Sequence, residues 1–178
     1  MHVLPDPHIL RILNIQNPAN ESLLGNVVWA ISNLCRGKPQ PALPIVGRFI
    51  PDLCGLLHTN CSDDAKVDAL WALSYITDGD NARIEAVVGQ GITPKLVEIL
   101  QGGAIRFTSP ALRTLGNFAT GTEAQTQAVI DAGVLEIAAE LLDHSKVRLV
   151  NPTPFVSYLM ISNPETHRRA FEKSPAGS

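Results

Sequence analysis

Along most of this chain apolar side chains recur at spacings of three and four rather than two. That period belongs to helices with one buried face, and no stretch alternates as a half-buried strand would. Glycine and proline punctuate the helical stretches. Gly37, Gly79 and Gly121 stand where long helices are expected to close, in the left-handed conformation that glycine adopts cheaply. Pro94 and Pro110 stand near expected helix starts, where a missing N–H does no harm. Asn60 to Asp64 and Gln101 to Thr108 are expected to be loops.

The pattern repeats. Trp29-Ala-Ile-Ser-Asn33-Leu-Cys-Arg-Gly37, Trp71-Ala-Leu-Ser-Tyr75-Ile-Thr-Asp-Gly79 and Arg113-Thr-Leu-Gly-Asn117-Phe-Ala-Thr-Gly121 follow one another at intervals of 42 residues. The pairs Leu56–Leu57, Ile99–Leu100 and Leu141–Leu142 keep the same rhythm, at 43 and then 42. A period of roughly 40 to 47 residues with two or three helices per unit is the mark of armadillo or HEAT repeats. The expected fold is all-α: an armadillo-repeat right-handed α-solenoid, with about three to four repeats. Residues 1–20, with Pro5, Pro7 and Pro18, are expected to be irregular, and the repeats to run over 21–147. The segment 148–178, with Pro152, Pro154, Pro164 and Pro175, is expected to be a divergent tail.

In the first long helix Ala30, Ile31, Leu34 and Cys35 form the expected apolar stripe. Ala72, Leu73 and Ile76, then Thr114, Leu115 and Phe118, continue it. Trp29 with Asn33, Trp71 with Tyr75, and Arg113 with Asn117 lie one turn apart on a neighbouring face. In a solenoid such faces stack into one groove. Packed helices lie roughly 8–10 Å apart and an extended strand advances about 3.3 Å per residue, so one repeat matches about three peptide residues. An asparagine amide both donates and accepts, which suits it to holding a peptide backbone. A tryptophan face attracts a cation and packs on its methylene stem. Asp68 and Asp78 are expected to complete a site for a cationic side chain.

Composition narrows the ligand. The net charge is −3 with a pI near 5.9, the wrong balance for neutralising phosphates and the right one for a cationic partner. The three cysteines, Cys35, Cys54 and Cys61, have no close pairing that would hold a metal and read as buried free thiols. A reducing, intracellular setting fits them. No apolar run reaches the length of a membrane span. Nucleophile elbow, phosphate-binding loop and HExxH motifs are missing, and the histidines have no metal-ligand spacing. No enzyme, cofactor, metal, nucleic acid or membrane role is therefore expected. His58 and His144, just past the leucine pairs, are expected to be solvated.

The strings NVVWAISNLCRGK, ALWALSYITDG and SPALRTLGNFATGTEAQTQAVIDAGVLE resemble the central armadillo repeats of the importin-alpha (karyopherin-alpha) family, over about residues 21 to 147. The order Trp/Asn, Trp/Tyr, Arg/Asn is similar to that family's fourth to sixth repeats. The resemblance implies an import adaptor that binds basic nuclear localisation signals of cargo proteins and works in cytoplasm and nucleus. It places Trp29 and Asn33 at the end of the major peptide site. Arg36 and Lys38 match basic positions between the two sites. Asp68, Trp71 and Tyr75 match the part facing the linker of a bipartite signal, and Arg113 and Asn117 the start of the minor site. Importin-beta is a further partner the family implies, but no basic cluster precedes Trp29, so its binding segment is expected to be absent. With both sites cut, a truncated member is expected to bind signals weakly. The alternative is an armadillo scaffold or inactive fragment without import activity, which would not need the asparagine ladder.

Overall fold

The structure is a computed structural model that describes residues 20–102 and 104–137. The readings made for residues 1–19, for Leu141, Leu142 and His144, and for the 148–178 tail lie outside them. Among the described residues every regular element is helical. In chain order they are α1 (Glu21–Arg36), α2 (Leu43–Val46), a 3₁₀ turn (Gly47–Phe49), α3 (Ile50–Leu56), α4 (Asp63–Ile76), α5 (Asn81–Val88), α6 (Thr93–Gln101), α7 (Ile105–Ala119) and α8 (Glu123–Asp131).

Three long helices, α1, α4 and α7, each carry one of the recurring segments, and α4 packs against α1 on one side and α7 on the other. Two shorter helices precede α4 and two precede α7, which gives a three-helix unit repeated along one axis. Local chemistry marks the starts. Ser62 accepts from the Ala65 N–H at the head of α4, and Asp63 and Asp64 place negative charge on its positive end. Asp80 accepts from the Arg83 N–H at 3.0 Å to start α5. Thr122 and Gln125 form a reciprocal capping box on α8. Pro44, Pro51 and Pro94 occupy first-turn positions of α2, α3 and α6.

The core is one continuous cluster running between the units. Leu53 and Leu56 of α3, Leu70, Leu73 and Ile76 of α4, Leu96 of α6, and Leu115 and Phe118 of α7 are all fully buried. Because α4 is covered on several sides at once, Ala65, Ala69 and Ala72 are also sealed; small residues let its neighbours approach closely. Polar ties join successive units. Gln125 reaches back to donate to the Asn81 carbonyl at 3.0 Å and to Glu85 at 2.8 Å. Arg83 donates to the Pro41 carbonyl at 2.5 Å, and Gln40 donates to the carbonyls of Tyr75 and Asp78 at 2.6 and 2.8 Å.

Three expectations need correction. Gly37, Gly79 and Gly121 are not left-handed; Gly37 has φ −55° and ψ 146°, and among the described residues only Gly91 (φ 68°) and Gly133 (φ 87°) have positive φ. Those two are 42 residues apart, so the left-handed turn does recur, but between the two short helices of each unit. Gly79 and Gly121 are needed for space instead. A Cβ on Gly79 would lie 2.5 Å from Arg83 Cδ, and one on Gly121 would overlap the Gln125 amide that closes the capping box. The second correction concerns α1, where Ala30 and Leu34 face outward, Leu34 at 45 % exposure, and the buried set is Leu24, Val28, Ser32 and Cys35. Ile76 and Phe118, the counterparts of Leu34, are buried because α4 lies against α1 and α7 against α4. Third, Pro110 is inside α7, five residues past its start, and the loop before it ends at Ala104.

The three thiols are free and buried, and His58 is exposed, as expected. Burial pushes the Cys54 thiol up to about 12 and that of Cys35 to about 11, with Arg83 pulling the latter back slightly. Only the thiolate attacks a disulfide reagent. Cys35 and Cys54 are therefore expected to stay unmodified by an aromatic disulfide at pH 8 while the chain is native, and to react promptly in denaturant. Stoichiometric labelling of both under native conditions, read by intact mass, would contradict this packing.

Candidate peptide-binding groove

Helices α1, α4 and α7 each present a stripe with spacings of four, three and four. The stripes are Ser22, Asn26, Trp29 and Asn33; Asp64, Asp68, Trp71 and Tyr75; and Arg106, the buried Pro110, Arg113 and Asn117. Each position lies 42 residues from its counterpart, so the helical period sets the rows and the repeat period sets the columns.

Trp29 is 60 % exposed, the most exposed of the large apolar side chains described. It lines a cleft of about 880 Å³ together with Asn26, Asp64, Asp68 and Arg106. Asn33 sits one turn further along and is exposed; its amide donates to the Trp29 carbonyl at 2.9 Å, a bond within its own helix. Arg36 is exposed on the last turn of α1. Asp68, half-buried, has its carboxyl held above the usual range, first by partial burial, then by Asp64, with Arg106 opposing both.

On α4 the rings of Trp71 and Tyr75 stack with centroids 5.8 Å apart and 22° between planes. The Arg113 guanidinium lies over Tyr75 at 5.1 Å from the ring centroid, and its Nη2 pairs with Asp78 at 2.9 Å. Lys38 approaches the same carboxylate at 3.9 Å. Asp78, which the sequence reading made ready for a ligand cation, is thus already paired with two of the chain's own.

Asn117 also differs from its expected role. Its amide donates to the Ser74 carbonyl and the Thr77 hydroxyl, both at 3.0 Å, and so ties α7 to the end of α4. Its donor hydrogens are spent on the neighbouring repeat, whereas the exposed Asn33 amide donates only within its own helix. The structure therefore brings Trp29 and Asp68 to one cleft, with Asn33 one turn beyond Trp29 on the same helix. Tyr75, Trp71 and Arg113 form a second, self-filled cluster, beside a structural Asn117.

Two groove residues were missed by the sequence reading. Asp64 precedes Asp68 by one turn, and Arg106 follows Asp64 by one repeat. The helical spacing of four leads from Asp68 to Asp64, and the 42-residue offset then leads from Asp64 to Arg106. Arg106 Nη2 pairs with the Asp64 carboxylate across the groove.

No family model matches the chain. It is 46% identical to importin subunit alpha-1a of Oryza sativa subsp. japonica over 96 residues, 54% of this chain and 18% of that protein. Over 105 residues it is 44% identical to importin subunit alpha-B of Dictyostelium discoideum, covering 58% of this chain and 20% of that one. The match thus spans about a fifth of these relatives' length. Among solved structures, an engineered protein superposes with a TM-score of 0.77 at 24% identity, over 97% of this chain and 69% of that one. Computationally designed armadillo repeat proteins for modular peptide recognition give 0.74 at 23% identity, over 93% and 69%. A designed armadillo repeat protein in complex with the peptide (KR)4 gives 0.64 at 23% identity, over 90% and 77%. The fold is the armadillo solenoid, and the sequence is similar to importin-alpha subunits.

Proposed function

We propose that this chain binds extended lysine- and arginine-rich peptides along the groove, as an import adaptor of importin-alpha type acting in cytoplasm and nucleus. The ligands are nuclear localisation signals of cargo proteins, and no catalysis is involved; importin-beta is a partner of the family whose binding segment is not recognised in this sequence. The observation that carries the reading is the exposed Trp29 set against Asp64 and Asp68, an aromatic face beside two carboxylates. The Arg113–Tyr75 contact supports it, because the same face already holds a guanidinium on an aromatic ring in the way proposed for an incoming side chain. The fold can also carry such a peptide, since a designed armadillo protein of similar fold was solved with (KR)4. A plain scaffold role is favoured only at the α7 end, where Asn117 is committed to α4.

Asp68 gives a test that separates binding from folding. Its folded pKa is raised, so the native state disfavours its ionised form. Any stability this carboxyl contributes is full below its unfolded pKa and is lost as pH rises through the folded one. At pH 7 the charge is therefore a small cost, and Asp68→Asn is expected to leave Tm unchanged or slightly higher. The difference from wild type should narrow as pH falls through the carboxylate range. Binding of a lysine-rich peptide at pH 7 is expected to weaken about three- to tenfold, as for loss of one charge-assisted contact. A variant that binds as tightly as wild type in a fluorescence-anisotropy titration would remove Asp68 from the site, and one that is less stable at pH 7 would contradict the raised pKa.

A further inference from the structure

Arg106 stands at the position of its stripe that Asp64 occupies one repeat earlier and Ser22 two repeats earlier. Its side chain crosses from α7 to α4, pairs with Asp64, and forms one wall of the Trp29 cleft. From the geometry we infer that Arg106 is a built-in competitor: it occupies the Asp64 carboxylate that an incoming lysine or arginine would otherwise use. This rests on the cationic-peptide reading of the groove and adds to it the residue that sets how tightly the cleft holds its ligand.

Three features make the contact a competing one rather than a structural tie. Arg106 and Asp64 are both well exposed, so the pair holds no core element in place. Its guanidinium lies over the Phe107 ring, 5.8 Å from the centroid, while it pairs with Asp64, and it is exposed, so losing the Asp64 contact strands no buried charge. Asp68, next to Asp64 on the same stripe and lining the same cleft as Trp29, feels both charges of the pair, so a change at Arg106 reaches it as well. A ligand cation must therefore either displace Arg106 or bind to Asp68 alone. The consequence is a low-affinity, readily released peptide at this end of the groove.

The test is an anisotropy titration of the full chain with a fluorescein-labelled lysine-rich peptide, using wild type, Arg106→Gln, Asp64→Asn and the double variant. Lys95→Gln supplies a charge-matched control away from the groove, since Lys95 pairs with Glu98 on α6. Arg106→Gln is expected to tighten binding about two- to fivefold, the range set by displacing an exposed ion pair, and to steepen its salt dependence. Most of that gain should disappear when Asp64 is already asparagine, because the freed carboxylate is its source. A gain as large in the Asp64→Asn background, or no larger than that of Lys95→Gln, would reduce Arg106 to a distant charge and overturn the inference. No gain at all, with wild type binding normally, overturns the inference and leaves the groove reading standing. Folded wild type and Arg106→Gln that both fail to bind overturn the two together. Helical circular dichroism confirms that each variant is folded.

Discussion

Phe118→Ala is expected to lower folding stability by about 3–5 kcal/mol, the usual loss for a buried phenylalanine. Phe118 is fully sealed near the end of α7, the helix that packs on α4. Removing its ring leaves a cavity in the cluster that joins the units, and tight packing allows only partial collapse. A domain is stable by about 5–15 kcal/mol in total, so the loss consumes a large share of the margin. The repeat supplies internal controls. Ile76→Ala, one unit earlier and equally buried, should cost about 2–5 kcal/mol, whereas Leu34→Ala, half exposed at the same repeat position, should stay within about 0.5 kcal/mol. Urea unfolding followed by circular dichroism measures all three. Equal losses at Leu34 and Phe118 would mean that α1 is covered in solution as α4 and α7 are.

Asn117→Ala is expected to be the second large effect, about 1–3 kcal/mol, because it leaves a carbonyl and a hydroxyl at the end of α4 without their donor. The Thr77 hydroxyl is buried and itself donates to the Leu73 carbonyl at 2.8 Å, so water cannot readily replace the lost amide. Asn33→Ala breaks only an exposed bond within α1 and should cost no more than about 0.5 kcal/mol. Binding of a basic peptide should respond in the opposite order. Asn33→Ala weakens it while the fold is unchanged, and Asn117→Ala acts through the fold. Thermal unfolding and peptide titration of the same two variants check both halves. Identical behaviour of the two asparagines in both assays would restore the simple ladder.

The same asymmetry shows what the sequence could and could not reveal. Helix type, repeat length and the buried set of α4 and α7 follow from two periods, 3.6 and 42, and both are visible in a line of text. The faces of α1 were misread because burial depends on which neighbour lies against a helix, and Leu34 has the same spacing as Ile76 and Phe118. The glycines were misread for a related reason. A glycine after a helix can supply either a positive φ or room for a side chain, and only the Arg83 and Gln125 positions decide between them. In the groove, the aromatic and amide columns were legible by recurrence. Their engagement was not, since the bonds of Asn117, Arg113 and Arg106 all cross from one repeat to the one before. Pairing across that distance follows from the solenoid's rise and twist, which no local spacing encodes.

The most direct test of the central claim uses the two tryptophans, Trp29 and Trp71, as reporters. Intrinsic fluorescence is titrated with a lysine-rich peptide and with a neutral peptide of equal length. Saturable change with the lysine-rich peptide alone, suppressed by salt, kept in Trp71→Phe and lost in Trp29→Phe, is the predicted result. A folded helical chain whose Trp29 emission ignores the basic peptide, or answers both peptides alike, would contradict the groove as a reader of basic signals.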